Sequence, residues 1–238
     1  MELNQTQTLY HFDINGTIIG TDSTNIGETI HDAALEGLAR SMTWLLNGDT
    51  ALPHHETYYE HIKAHDEKGY KHRIKTLLGN HPHLKPKYDV LCDAFKKGLF
   101  ESFLHFLETM IVGKPDQVVI FRTFGHDGNH VLQLLKNDNR FAHLKTIILE
   151  DLKNLPSILN TKEHQLILYQ DDYKTWNNAN RDPSFGKVIK SMSGWNQCGF
   201  DDNRCMVAQG DIESVRIFKV NTFEAAINKL YFVDLMSI

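Results

Sequence analysis

Short apolar runs that each end on a polar residue recur along this chain, and they constrain its fold more than any other feature. Residues 8–14 (TLYHFDI), 117–122 (QVVIFR), 165–170 (QLILYQ) and 215–220 read as buried strands, with weaker ones over 145–149 and up to Phe200. Helical spacing fills the gaps. Ile30, Ala34, Leu38, Met42 and Leu45 share one face of residues 27–47. Residues 88–112 are apolar at helical spacing, 126–137 form a third helix, and 222–230 a last one. A helix is also expected to start at Gly186-Lys187 and carry Val188, Ile189 and Met192. A turn is expected around Pro156, and a polar loop from Asp171 to Gly186. Strands alternating with helices predict an α/β fold: a three-layer, Rossmann-like core with a mostly parallel sheet. Such sheets bind ligands at the carboxyl ends of their strands. Asp13, Thr123, Asp171 and Asp201 all fall there.

Composition narrows the class. A chain of 238 residues with 41% hydrophobic residues supports one large domain, or a core with one insertion, and excludes wholesale disorder. The formal charge of -5 argues against a nucleic-acid partner held by a broad basic face. The three cysteines, Cys92, Cys198 and Cys205, match neither a disulfide framework nor a Cys-rich zinc site. No apolar run approaches the roughly 18 residues of a membrane span, and MELNQTQTLYHFD has no secretory pattern. The expectation is a soluble, cytoplasmic protein with no membrane partner.

The sharpest segment is Phe12-Asp13-Ile14-Asn15-Gly16-Thr17. A carboxylate leaving a buried strand can bind a hard cation or attack phosphorus; Gly16 permits a tight turn, and the Thr17 hydroxyl can brace it. The segment resembles the first motif of the haloacid dehalogenase superfamily, Asp-x-Asp-Gly-Thr. Thr123 after VVIFR matches that family's second motif, Lys187 its third, and Asp201-Asp202 the acidic pair of its fourth, in the right order. Asp171-Asp172 is a rival acidic pair after a better strand, with Lys145, Lys153 or Lys162 as its lysine. Asp201-Asp202 is preferred because Lys187 then lies between the third and fourth strands.

The resemblance implies a core of residues 1–19 and 115–238, with 20–114 as a helical cap. It implies a Mg²⁺-dependent phosphatase acting on a small phosphorylated molecule or a phosphoprotein. Asp13 would be the nucleophile, and Asp13, the Asn15 carbonyl and Asp201 or Asp202 the metal ligands. Thr123 and Lys187 would hold the phosphoryl oxygens; Asp171 and Asp172 would hold a loop or bind substrate. One residue departs from the pattern. Family phosphatases place an acid at the position of Asn15, and an amide has no proton to give near neutral pH. Losing that group costs about 10²–10⁴ in rate. His126, Asp127 or a cap histidine could replace it, the leaving group could need no acid, or the protein could bind a phosphorylated ligand with little turnover.

Other features carry bland readings. Of 14 histidines, seven (His54, His55, His61, His65, His72, His81 and His83) crowd residues 54–83 and read as a solvated surface, although His61 and His65 are spaced to share a metal. Arg122, beside Thr123, points to the other face of the sheet and reads as structural. Trp44, Trp176 and Trp195 read as core or rim, and Lys71, His72, Arg73 and Lys75 as a solvated basic stretch.

Overall fold

A computed structural model describes residues 7–21, 29–42, 57–66 and 68–237. Strand β1 (Gln7–Asp13) is followed by helices α1 (Ile30–Ser41), α2 (Tyr58–His65), α3 (Tyr70–Lys75), α4 (Leu77–Asn80), α5 (Lys85–Lys96) and α6 (Glu101–Met110). Then come β2 (Gln117–Thr123), α7 (Asp127–Asn137), β3 (Thr146–Leu149), α8 (Leu155–Thr161), β4 (Leu166–Gln170) and α9 (Tyr173–Asn178). The chain continues through β5 (Lys187–Lys190), β6 (Trp195–Asp201), β7 (Met206–Gln209) and β8 (Val215–Lys219) to α10 (Thr222–Ile227) and α11 (Tyr231–Leu235).

Six strands form one sheet in the order β3-β4-β2-β1-β6-β8, and every pairing in it is parallel. The fold is therefore α/β with a flanked parallel sheet, as the strand–helix alternation predicts. Period-two alternation divides the core. Leu9, Val118, Ile120 and Ile167 face one side, where Leu155 and Leu159 of α8 cover them. Tyr10, Phe12, Val119 and Phe121 face the other. There Phe12 stacks on Phe200 with ring centroids 4.4 Å apart and meets Phe103, Phe106 and Phe232 edge-on at 5.1–5.2 Å. Phe103 and Phe106 belong to α6, so part of the stretch expected as a cap is a core layer. Helix α1 is also tied to the core: the Phe223 N–H donates to the Ser41 hydroxyl at 3.1 Å.

Several local expectations change. Residues 187–190 are strand β5, paired in parallel with β7 in a separate two-stranded sheet, and not a helix. The β-branched pair Val188-Ile189 fits an extended strand better than a first helical turn, and Ile189 is buried against Met206 and Val215. Pro156 sits in the first turn of α8, where its missing N–H costs nothing. The polar loop contains α9, capped by the Asp172 side chain. The apolar stretch 88–112 breaks at Gly98, where φ is +86°, because Leu99 bridges Ile19 and the Phe100 N–H donates to Ile18 O at 2.9 Å. Leu45, Trp44, His54 and His55 lie outside the described residues. No helix of the described residues is long and apolar enough to cross a membrane.

A buried polar network runs beneath the site. Arg122, 1% exposed, forks onto Asp171 with bonds of 2.9 and 2.5 Å. It also reaches the Val188 carbonyl at 3.4 Å and His11 Nδ1 at 3.5 Å. His11 Nε2 faces Gln197 Oε1 at 3.0 Å, and Gln197 Nε2 donates to Lys190 O at 2.8 Å. Because Arg122 can only donate, His11 Nδ1 accepts and Nε2 carries the proton. The network thus ties β5 to the main sheet. Burial, then the Arg122 charge, pushes the His11 pKa down to about 3. The unfolded chain takes up that proton near pH 6.5 and the folded chain does not, so stability falls as the solution is acidified. We expect His11→Gln to lose less stability than the wild type between pH 7 and 5, with the slopes differing by up to about 1.4 kcal/mol per pH unit. Urea titrations at both pH values check this; parallel slopes would refute it.

Candidate functional site

The site is built at the carboxyl edge of the two central strands. Asp13 ends β1 and Asp201 ends β6, and the two strands are paired neighbours. The turn after β1 is held by backbone bonds from the Gly16 N–H to Ile19 O at 2.8 Å and from the Ile18 N–H to Ile14 O at 3.0 Å. The expected Thr17 brace is absent: its hydroxyl is buried and has no hydrogen-bond partner. Gly16 is required twice over. Its φ is +72°, and a Cβ there would lie 2.6 Å from Asp202 Oδ2. The glycine therefore lets the first turn and the acidic pair approach each other.

Asp13, Asp201 and Asp202 are all buried, and each offers a carboxylate oxygen within 4.8 Å of the others. Such a trio can hold a metal ion, and its oxygen-only donors suit a hard cation. Lys187, at the start of β5 and 2% exposed, donates to Asp13 Oδ1, which also accepts from the Ile14 N–H at 2.8 Å. Lys187 is steered there by its backbone N–H, which donates to Cys205 O at 2.8 Å. At Gly186 a Cβ would sit 2.3 Å from that same Cys205 carbonyl, so only glycine admits the approach.

Electrostatics set the protonation states. Burial raises Asp13 well above the ordinary carboxylate range; Lys187 opposes this, and Asp201 and Asp202 add to it. Burial pushes Asp202 up to about 6, with Arg40 pulling the other way and Asp201 adding to the rise. Burial works to lower Lys187, but Asp13 beside it carries its pKa above the ordinary lysine value, so the ammonium stays charged. Three buried carboxyls thus face one buried ammonium, an arrangement that a bound cation would relieve. Asp201 also organises its own loop: its carboxylate accepts the Met206 N–H at 2.8 Å and the Asn203 N–H at 3.2 Å.

No protein-family model, curated protein or solved structure matches this chain. The reading of the site rests on its residues.

Of the residues singled out in the sequence, Asp13, Asn15, Lys187, Asp201 and Asp202 come together around one turn. The Asn15 amide nitrogen donates to Thr21 O and to Asp127 Oδ2, both at 2.8 Å. Both partners are acceptors, which fixes the amide orientation. Asp127, one of the candidate acids, is buried at the start of α7 and held by Asn15. Thr123 lies one step beyond Arg122, the partner of Asp13 across the ladder. Its hydroxyl accepts from the Gly125 N–H at 3.0 Å, and the residue lines a neighbouring cleft with His126 and Asp171. Asp171 and Asp172 do not join the trio. Asp171 pairs with Arg122, and Asp172 caps α9, accepting from the Thr175 N–H at 3.0 Å. Among the described residues the carboxylate trio is the only group of three or more potential metal-ligating side chains. The His61 and His65 rings lie 4.2 Å apart, with His65 Nδ1 bonded to the His61 carbonyl at 2.8 Å.

Arg40 escaped the sequence reading. It stands on α1 and bonds to Glu36 at 2.7 Å and to Asn203 Oδ1 at 2.5 Å. Its guanidinium lies 3.9 Å from Asp202 Oδ2 and 3.9 Å above the Tyr59 ring. In the sequence it forms an ordinary i, i+4 pair with Glu36, and nothing local marks it. Arg40, Lys187, Asp13 and Asn15 line one cleft of about 820 Å³.

Proposed function

We propose that this chain is a Mg²⁺-dependent hydrolase of the haloacid dehalogenase type that cleaves phosphate esters or acyl phosphates through an aspartyl phosphate on Asp13. The observation that carries the proposal is the convergence of Asp13, Lys187, Asp201 and Asp202 at the carboxyl edge of a parallel sheet. The donor set of Asp13, Asp201 and Asp202, with the backbone carbonyl of Asn15, suits Mg²⁺, which when bound would supply positive charge to offset that of the carboxylates and phosphoryl oxygens.

The chain's own groups then divide the work. Lys187 and the Ile14 N–H occupy Asp13 Oδ1, which assigns attack on phosphorus to Oδ2. The Oδ2–phosphorus bond forms as the bond to the leaving oxygen breaks; that oxygen leaves as a carboxylate from an acyl phosphate and takes a proton from solvent when it leaves an ester, while the Lys187 ammonium offsets charge on the phosphoryl oxygens. Water then attacks the same phosphorus, the Asp13–phosphorus link breaks, and the carboxylate returns with release of inorganic phosphate. In this reading the water's proton goes to Asp127, the carboxylate that Asn15 holds beside the turn. The reaction class is tested by phosphate release from acetyl phosphate, p-nitrophenyl phosphate and sugar phosphates, with Mg²⁺ and with a chelator. No release from any of them would remove the hydrolase reading and leave a binder of phosphorylated ligands, the alternative that Asn15 favours.

Asn15→Asp gives a second test. The new carboxyl would face the Thr21 carbonyl and the Asp127 carboxylate, two acceptors, so one proton must stay between residues 15 and 127. That proton is available to a leaving oxygen. We expect ester hydrolysis to rise roughly tenfold to hundredfold, the lower part of the range for an acid–base group because the proton is shared. Acetyl phosphate, whose leaving group needs no acid, should gain little. Equal gains on both substrates would exclude a missing acid as the limit.

A further inference from the structure

The cleft over Asp13, about 820 Å³, exceeds what a phosphoryl group requires, and its lining is unusually aromatic. Phe124, just past β2, stacks on Trp176 of α9 with centroids 4.6 Å apart and planes at 11°. Tyr173 meets both rings edge-on at 6.0 Å and is 43% exposed. Arg181 lies 5.6 Å over Trp176, and Lys187 Nζ lies 4.9 Å over Phe124. Helices α2 and α3 add Tyr59 and Tyr70, edge-on at 5.8 Å, with Lys63 within 5.7 Å of both rings.

Charge in the cleft is in surplus on the positive side. Lys187 pairs with Asp13, Arg40 with Glu36 and Lys75 with Asp32. Among the described residues Lys71 and Arg181 line the cleft and take part in no ion pair. An alkyl tail would desolvate these cations without giving them an acceptor. A bare sugar phosphate would leave the exposed Tyr173 ring uncovered. A planar heterocycle does neither, because it stacks on aromatic faces and presents ring nitrogens and carbonyls to lysine and arginine.

We propose that the cleft takes a nucleoside monophosphate, its phosphate over Asp13 and Lys187 and its base on the exposed Tyr173 ring, which the Phe124–Trp176 stack buttresses edge-on. The assignment rests on the phosphoryl-transfer reading of Asp13. Adenosine 5′-monophosphate and ribose 5-phosphate share phosphate and sugar and differ in the base, so their affinity ratio isolates the base site. Affinity is read by calorimetry, or as KM where the ligand is turned over, in the presence of Mg²⁺. The nucleotide should bind at least roughly tenfold tighter, within the fivefold to hundredfold range of one base–aromatic stack. Tyr173→Ala should cut that ratio at least about fivefold, and Tyr173→Phe should preserve it. Equal affinities, a ratio insensitive to Tyr173→Ala, or failure of both ligands to bind would each overturn the base site. Hydrolysis of esters with no preference for a base overturns it while leaving the hydrolase reading intact. Nucleotide binding with this Tyr173 dependence and no hydrolysis of any ester upholds the base site and removes the hydrolase.

Discussion

Asp13→Asn should lower phosphoester turnover by on the order of 10⁴-fold or more, the loss typical of removing a covalent nucleophile. The amide is close in shape and keeps an oxygen that can accept from Lys187 and the Ile14 N–H, so the change removes charge and nucleophilicity more than geometry. It also takes away one of the three carboxyls crowded between β1 and β6. The repulsion that Asp201 and Asp202 each exert on Asp13 is removed, while Lys187 keeps Asp201 among its favourable partners. The variant should therefore stay folded, which circular dichroism and a thermal melt would establish before rates are compared. A folded Asp13→Asn protein retaining activity within tenfold of the wild type would take Asp13 out of the chemistry.

The largest effect on stability should come from a pair outside the reaction. Arg122→Met leaves Asp171 buried without its cation, the situation in which breaking an ion pair costs about 3–5 kcal/mol. Both side chains are almost wholly buried, so water cannot take the place of the guanidinium. Pairing the change with Asp171→Leu removes the stranded charge and should recover most of the loss. A double-mutant cycle from urea midpoints measures this directly. If Arg122→Met alone lay within 1 kcal/mol of the wild type, the pair would have to be solvated in solution. Because Arg122 also holds the Val188 carbonyl, the single variant should loosen β5 and with it the position of Lys187.

Much of this was legible because it is local. The strand runs at β1, β2, β4 and β8 carry their own period and apolar content, and Phe12-Asp13-Ile14-Asn15-Gly16-Thr17 places a carboxylate, a turn glycine and the unusual amide within six residues. What was misread depends on distant partners. Residues 187–190 become a strand because 206–209 pair with them, and nothing within a few residues of Lys187 announces that. The break at Gly98 follows from contact with Ile18 and Ile19, a tertiary constraint imposed on a stretch with good helical spacing. Asp171-Asp172 followed a stronger strand than Asp201-Asp202, yet a buried arginine claims its first member. Strand quality reports burial, not which carboxylates converge. Arg40 and the ring set of Tyr173, Trp176 and Phe124 come from separate segments and share no motif.

The partnership of Asp13 and Lys187 spans 174 residues of chain, and β1 lies between β2, reached only after six helices, and β6, which follows four further strands. Non-local parallel pairing of this kind closes slowly, because loop entropy is lost before contacts reward it. During synthesis Asp13 emerges long before its ammonium, and β1 keeps one open side until β6 arrives. A chain halted anywhere short of Lys187 would carry Asp13 on an unfinished sheet, ready to pair with another strand and without its buried cation. Assembly of the Asp13 site and completion of the central sheet are in this sense one event, and a ribosome-bound intermediate should be exposed to aggregation along the open side of β1.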